Sequence, residues 1–135
     1  MGKIAEVHYT GQLSCKATHL KSGQEITTDA PTDNNGKGQA FSPTDLLATS
    51  LASCMLTVMG IKARSLGFDL EEASAEVVKE MESNPRRVGA VTVKISLKQN
   101  CDEATRKVLE QVGRNCPVAK SLHPDLVQDT SFAWK

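Results

Sequence analysis

Hydrophobic and polar positions alternate in the first part of the chain. From Ile4 to Ala30 the pattern is strand-like, with Leu13, Cys15 and Ala17 on one parity and Ser14, Lys16 and Thr18 on the other. Lys21-Ser22-Gly23-Gln24 reads as a hairpin turn, and Glu25-Ile26-Thr27-Thr28 as a short strand after it. Residues 29–41 are rich in Asp, Asn, Gly and Pro and predict a loop long enough to act as a functional flap. The period then changes. Ser42 is a helix N-cap candidate, Pro43 sits in the first turn, and Asp45 follows the cap by three residues. The predicted helix runs to Leu66 and stops at Gly67, a span of roughly 35 Å. It carries no charge from Leu46 to Ile61, and its apolar residues cover every face, the pattern of a central helix. Residues 70–98 predict a hairpin. Ala73, Ala75, Val77 and Met81 share a side of its first arm, Asn84-Pro85-Arg86-Arg87 supplies the turn, and Val91 to Lys98 alternates strictly. A second helix is expected from Asp102 to about Gly113, burying Ala104, Val108, Leu109 and Val112. Pro117 opens a short helix through Leu122, Pro124 breaks it, and Val127 to Trp134 reads as a closing strand.

This order predicts an α+β fold with a mainly antiparallel sheet around a long central helix, in one domain over residues 1–135. One sheet covers only one face of a helix that is apolar all round. The other face needs a partner, so a homodimer is expected. The helix is long enough to be mistaken for a membrane span. Thr49, Ser50, Ser53 and Thr57 dilute it, however, and no second such segment exists. Only five residues are Phe, Tyr or Trp, so the core must be aliphatic. A formal net charge of zero removes the electrostatic reason to expect nucleic-acid binding, and no basic stretch points to a membrane surface. Met1 to Glu6 lacks the apolar stretch of a secretory signal, so a cytoplasmic, reducing location is expected.

Location bears on the four cysteines, Cys15, Cys54, Cys101 and Cys116, which are then expected to be free thiols. There is no C-x-x-C pair, and no histidine lies at metal-ligand spacing from a cysteine, which argues against a structural zinc site. Cys15 and Cys101 read as small buried hydrophobes. Cys54 lies about three turns inside the apolar helix, where burial alone would make it inert unless folding brings a cation or hydrogen-bond donors to it. Cys116 precedes Pro117 at a helix start, where unpaired N–H groups and the helix dipole are expected to favour its thiolate.

The segment Ser42-Pro43-Thr44-Asp45-Leu46-Leu47-Ala48-Thr49-Ser50-Leu51-Ala52-Ser53-Cys54, with Cys116-Pro117-Val118 downstream, resembles the OsmC/Ohr family of thiol-dependent peroxidases, on its OsmC-like branch. Thr28-Asp29-Ala30-Pro31, Gly36-Lys37-Gly38 and Asn84-Pro85-Arg86-Arg87 fit the same pattern, so the resemblance covers nearly the whole chain. It implies an intertwined homodimer with two active sites at the subunit contact. It further implies that Cys54 is the peroxidatic cysteine, which attacks an organic hydroperoxide, or more weakly hydrogen peroxide, and becomes a sulfenic acid. Cys116 would resolve it to a Cys54–Cys116 disulfide, which a dithiol such as a lipoyl group or thioredoxin reduces. No metal, haem, flavin or other cofactor is required.

The chain differs from active members of that family in one respect. They carry an arginine in the N-terminal strand-loop region, paired with a glutamate ten residues before the cysteine. Here no arginine precedes Arg64, and Thr44 stands in the glutamate's place. Asp45 and His19 are the candidate supporting residues. Asp45 lies about half a helical turn round from Cys54 and roughly 13 Å along the axis, so a capping role competes with a catalytic one. His19 could supply a cation or a proton near neutral pH, or simply be exposed at a strand end. The competing functional expectation is a non-enzymatic stress protein that senses oxidants or binds a small ligand.

Overall fold

The computed structural model describes residues 2–98 and 101–135; Met1, at the head of the segment inspected for a signal, lies outside them. The chain divides into two compact units, residues 1–46 and 47–135.

The first unit is a three-stranded antiparallel sheet in the order β1-β2-β3, with β1 Ala5–Gly11, β2 Ser14–His19 and β3 Glu25–Asp29. The strand-like stretch of the sequence is therefore broken twice. The second break is the expected turn, closed by His19 N–H donating to Gln24 O at 2.8 Å. The first has no Pro-Gly or Asn-Gly signature. Gly11, Gln12 and Leu13 turn the chain with φ values of +94°, +55° and +62°, which lifts Leu13 off the strand parity it was expected to share with Cys15. Residues 30–41 form the expected loop, with a 3-10 turn at Thr32–Asn34. Asp29 anchors it. Its carboxylate accepts from the Ser14 hydroxyl and from Gln39 N–H, the latter at 3.0 Å. Gly36 must be glycine, because a Cβ there would sit 1.7 Å from Ala30 O.

Helix α1, Pro43–Ser65, starts on a reciprocal cap. Asp45 N–H donates to Ser42 Oγ and Ser42 N–H to Asp45 Oδ2, both at 3.0 Å. Gly67, at φ +96°, follows its end. From Leu47 onward the helix belongs to the second unit. There β4 Ser74–Glu82 and β5 Arg87–Leu97 form the expected hairpin, followed by α2 Glu103–Arg114, α3 Pro117–Ser121 and β6 Val127–Trp134. Sheet order is β4-β5-β6. β6 pairs with β5 in parallel, from Ala90↔Val127 to Leu97↔Trp134. The closing strand is thus not antiparallel: α2 and α3 form the crossover that a parallel pair requires.

Ala48, Leu51, Ala52, Met55, Met59 and Ala63 form the buried stripe of α1. They cluster with Val88, Val91, Val93, Ile95 and Leu97 of β5 and Leu109 of α2. The core is aliphatic, as composition requires. Within the chain, however, α1 is packed on one side: Ile61 is 65% exposed, and Leu47 is also exposed. Hydroxyls dilute its open side without cost, because Ser50 donates to Leu47 O and Thr57 to Ser53 O within the helix itself.

The buried face of α2 differs from the expected one. Leu109 and Gly113 are buried, whereas Val108 is 42% exposed and Ala104 is exposed. Long polar side chains take the place of Val108. The Arg106 guanidinium lies 5.8 Å from the Trp134 ring centroid, Arg114 lies 5.1 Å from that of Phe132, and Trp134 Nε1 donates to Glu110 Oε2 at 2.8 Å. These groups cover β6 with their stems and rings while keeping charge at the surface.

Candidate active site

Ser50, Cys54, Val58 and Ile61 succeed one another at helical spacing on α1, beside rather than within the buried stripe. This position leaves Cys54 half-buried, a small thiol between core and surface. Cys116 is set by the junction of α2 and α3. Its N–H donates to Gly113 O at 3.3 Å, and its carbonyl accepts from Lys120 N–H at 3.1 Å. Pro117 then fixes the first residue of α3, and Cys116 takes the extended N-cap conformation, φ −64° and ψ 156°. Its side chain points inward, with 1% exposure, and Sγ accepts from Ala119 N–H at 3.4 Å.

Cys116 and Cys54, far apart in sequence and on different helices, lie close enough for Cys54 to act on the ionisation of Cys116. All four cysteines are free. Cys15 and Cys101 are half-buried.

Electrostatics at Cys116 overturn the expectation that it ionises readily. Burial pushes its thiol above the ordinary cysteine value, and the hydrogen bond and charge of Cys54 push it further. The N–H groups of Ala119 and Val118 pull the other way and are outweighed. The physical reason is the length of α3. Five residues make almost no macrodipole, so desolvation decides the balance. Cys116 is therefore held as a thiol at neutral pH.

The supporting candidates have local roles. Asp45 caps α1 through Ser42. His19 lies exposed at the end of β2, its Nδ1 2.6 Å from Ser22 Oγ across the turn. Both belong to the first unit, whereas the thiol pair belongs to the second.

Two features were not anticipated from sequence. One is the use of Ala119 as a hydrogen-bonding residue: its N–H caps the Cys116 sulfur, and its carbonyl accepts from Gln128 Nε2 at 2.9 Å. An alanine's backbone carries no sequence signal; only the Cys-Pro pair at a helix start could have suggested the first of these contacts. The other is a cleft of about 690 Å³ lined by Leu47, Val88, Leu122 and Leu126, with Arg87 and His123 among its polar residues. Neither thiol is among its lining residues, but it shares two stretches of chain with them. Leu47 lies two turns before Cys54 on α1, about 10 Å along the axis, and Leu122 follows α3, the helix that Cys116 caps. Arg87 uses Nη1 to hold the carbonyls of Ser83 and Pro85, which fixes the β4–β5 turn at the cleft wall.

Comparison with known proteins agrees with this architecture. A crystal structure of an osmotic stress induced and detoxification response protein from Psychrobacter arcticus 273-4 is 52% identical, with a TM-score of 0.93 over 98% of this chain and 96% of that one. Two more distant structures share the fold. The organic hydroperoxide resistance protein OsmC of Legionella pneumophila is 17% identical, with a TM-score of 0.77 over 98% of this chain and 97% of that one. OhrB of Bacillus subtilis, titled an organic hydroperoxide resistance protein, is 18% identical, with a TM-score of 0.64 over 97% of each chain. No curated protein matches the chain. The family model described as OsmC-like protein matches residues 36–130, which include both thiols of the pair, and the chain belongs to the OsmC-like family.

Proposed function

We propose that the chain is a cysteine-based peroxidase that reduces organic hydroperoxides better than hydrogen peroxide, with Cys54 as the attacking sulfur and Cys116 as the resolving one. The observation that carries this reading is the influence of Cys54 on the ionisation of Cys116, the first thiol half-buried, the second buried and held protonated. The names of the Legionella and Bacillus proteins point the same way.

The Cys54 thiolate attacks the terminal peroxide oxygen. The O–O bond breaks, an alcohol leaves with a proton, and Cys54 becomes a sulfenic acid. Sulfur is oxidised by two electrons and the peroxide reduced by two. The charge of Cys54 is then gone, and with it one of the influences that held Cys116 protonated. Cys116 attacks the Cys54 sulfur, its proton leaves with the hydroxyl as water, and a disulfide forms. A dithiol such as a lipoyl group or thioredoxin returns both sulfurs to thiols by exchange. The preference for an organic substituent draws on the apolar part of the cleft, Leu47, Val88, Leu122 and Leu126, which lies along the chain from the two thiols.

The reading includes a cytoplasmic homodimer. Apolar surface left open supports it: Ile61 on α1, and Val7 and Tyr9 on β1, are each about two-thirds exposed. A second reading, a redox sensor without turnover, draws on the lack of any arginine before Arg64. Stopped-flow thiol loss with cumene hydroperoxide, followed by reduction with dihydrolipoamide, distinguishes the two. Peroxidase activity requires repeated turnover that Cys54→Ser abolishes, and a Cys54→Ser variant that reacts as fast as the parent overturns the assignment.

A further inference from the structure

Both polar groups of the Ala119 backbone are engaged at the thiol pair. Its N–H donates to Cys116 Sγ at 3.4 Å, and its carbonyl accepts from Gln128 Nε2 at 2.9 Å. Gln128 stands on β6 opposite Val91 of β5, a fully packed core residue. α3, by contrast, is a five-residue helix, Pro117–Ser121, followed by a turn through Pro124 that Leu126 N–H closes on His123 O. A helix of that length does not hold itself in place. Its inward side is Cys116 and Ala119, both buried, and the Gln128 bond ties that side to the sheet.

We propose that Gln128 is a positioning residue for the second chemical step: through Ala119 it holds the Cys116 sulfur on the line to Cys54. The inference rests on the two-cysteine reading above and deepens it. In that step the Cys116 sulfur must approach the Cys54 sulfur along the S–O bond that breaks, while water leaves with the proton. Nothing in the first step depends on Gln128, because Cys54 is carried by α1 and meets the peroxide before Cys116 acts.

The experiment uses the full-length protein, reduced and then treated with one equivalent of cumene hydroperoxide. Thiol loss is followed by stopped flow, and dimedone trapping with mass spectrometry reports the sulfenic acid and the Cys54–Cys116 disulfide. Gln128→Met keeps the shape and removes the donor; Gln128→Lys restores a donor. Expected for Gln128→Met is a first step within twofold of the parent and disulfide formation slowed about five-fold, the factor that one neutral hydrogen bond is worth. Trapped sulfenic acid rises accordingly, and Gln128→Lys returns the second step toward the parent rate. The proposal is overturned if Gln128→Met forms the disulfide at the parent rate, if both steps slow together, or if Gln128→Lys is as slow as Gln128→Met. A parent protein that never forms this disulfide overturns the two-cysteine reading itself, and the role of Gln128 with it.

Discussion

Cys116 is a sulfur held protonated by its surroundings, and this has measurable consequences. Its thiol is raised first by burial and then by Cys54, so its ionisation belongs above the ordinary cysteine value of 9.0. At pH 7 it should alkylate with iodoacetamide more slowly than a free cysteine. Cys54→Ala removes two of the influences that raise it and should speed that alkylation. The native fold resists this ionisation, so stability from the buried thiol is complete below pH 9.0 and falls as pH rises through the higher folded value. Cys116→Ser should leave the first reaction with peroxide intact while the sulfenic acid persists, seen by dimedone labelling. Asp29 behaves in the opposite sense. The Ser14 hydroxyl, Gln39 N–H and Lys37 hold its carboxyl below the usual 3.8 against the cost of burial. Its contribution is therefore present above pH 3.8 and lost as pH falls through the lower folded value. Ser14→Ala removes the largest of these causes and should move the acid-unfolding midpoint to higher pH, measured by circular dichroism.

Among the elements, α1 depends on its cap and on one packed stripe. The Ser42–Asp45 pair satisfies N–H groups that the first helical turn leaves orphaned, and Ser42 is 1% exposed, so water cannot replace it. Ser42→Ala should cost about 1 kcal/mol in urea unfolding. Met59 has no exposed surface and lies against Gly113 of α2, where an added Cβ would come within 2.9 Å of its sulfur. Met59→Ala should cost about 3 kcal/mol by the loss of transferred surface and the cavity left behind. The caps, the loop read over residues 29–41 and the hairpin over 70–98 were legible because each is a local matter of turn chemistry and period, although Asp29 closes β3 rather than opening the loop. The face of α2 was not. Val108 yields the side toward β6 to Arg106, Glu110 and Arg114, whose partners Trp134 and Phe132 lie on a strand that pattern alone does not bring to that helix.

For the whole molecule, the open apolar side of α1 sets the expectation of a second copy. Light scattering should give twice the chain mass, and Ile61→Asp, which puts a charge on that side, should shift the protein toward monomer. If the parent is monomeric at micromolar concentration, the exposed surface has another explanation and the dimer is withdrawn.

The order of elements, the aliphatic core and the capped apolar helix were determined by sequence, because helix caps, alternation and turn residues act over a few neighbours; the same local signals made Cys54 and Cys116 the candidate sulfurs. Tertiary structure alone decided the rest. A parallel β6 required the α2–α3 crossover to swing across the sheet. That crossover carries Cys116 to Cys54, and the burial it imposes reverses the protonation that the local helix start had suggested. Desolvation depends on everything packed around an atom, and a linear sequence does not state what that is.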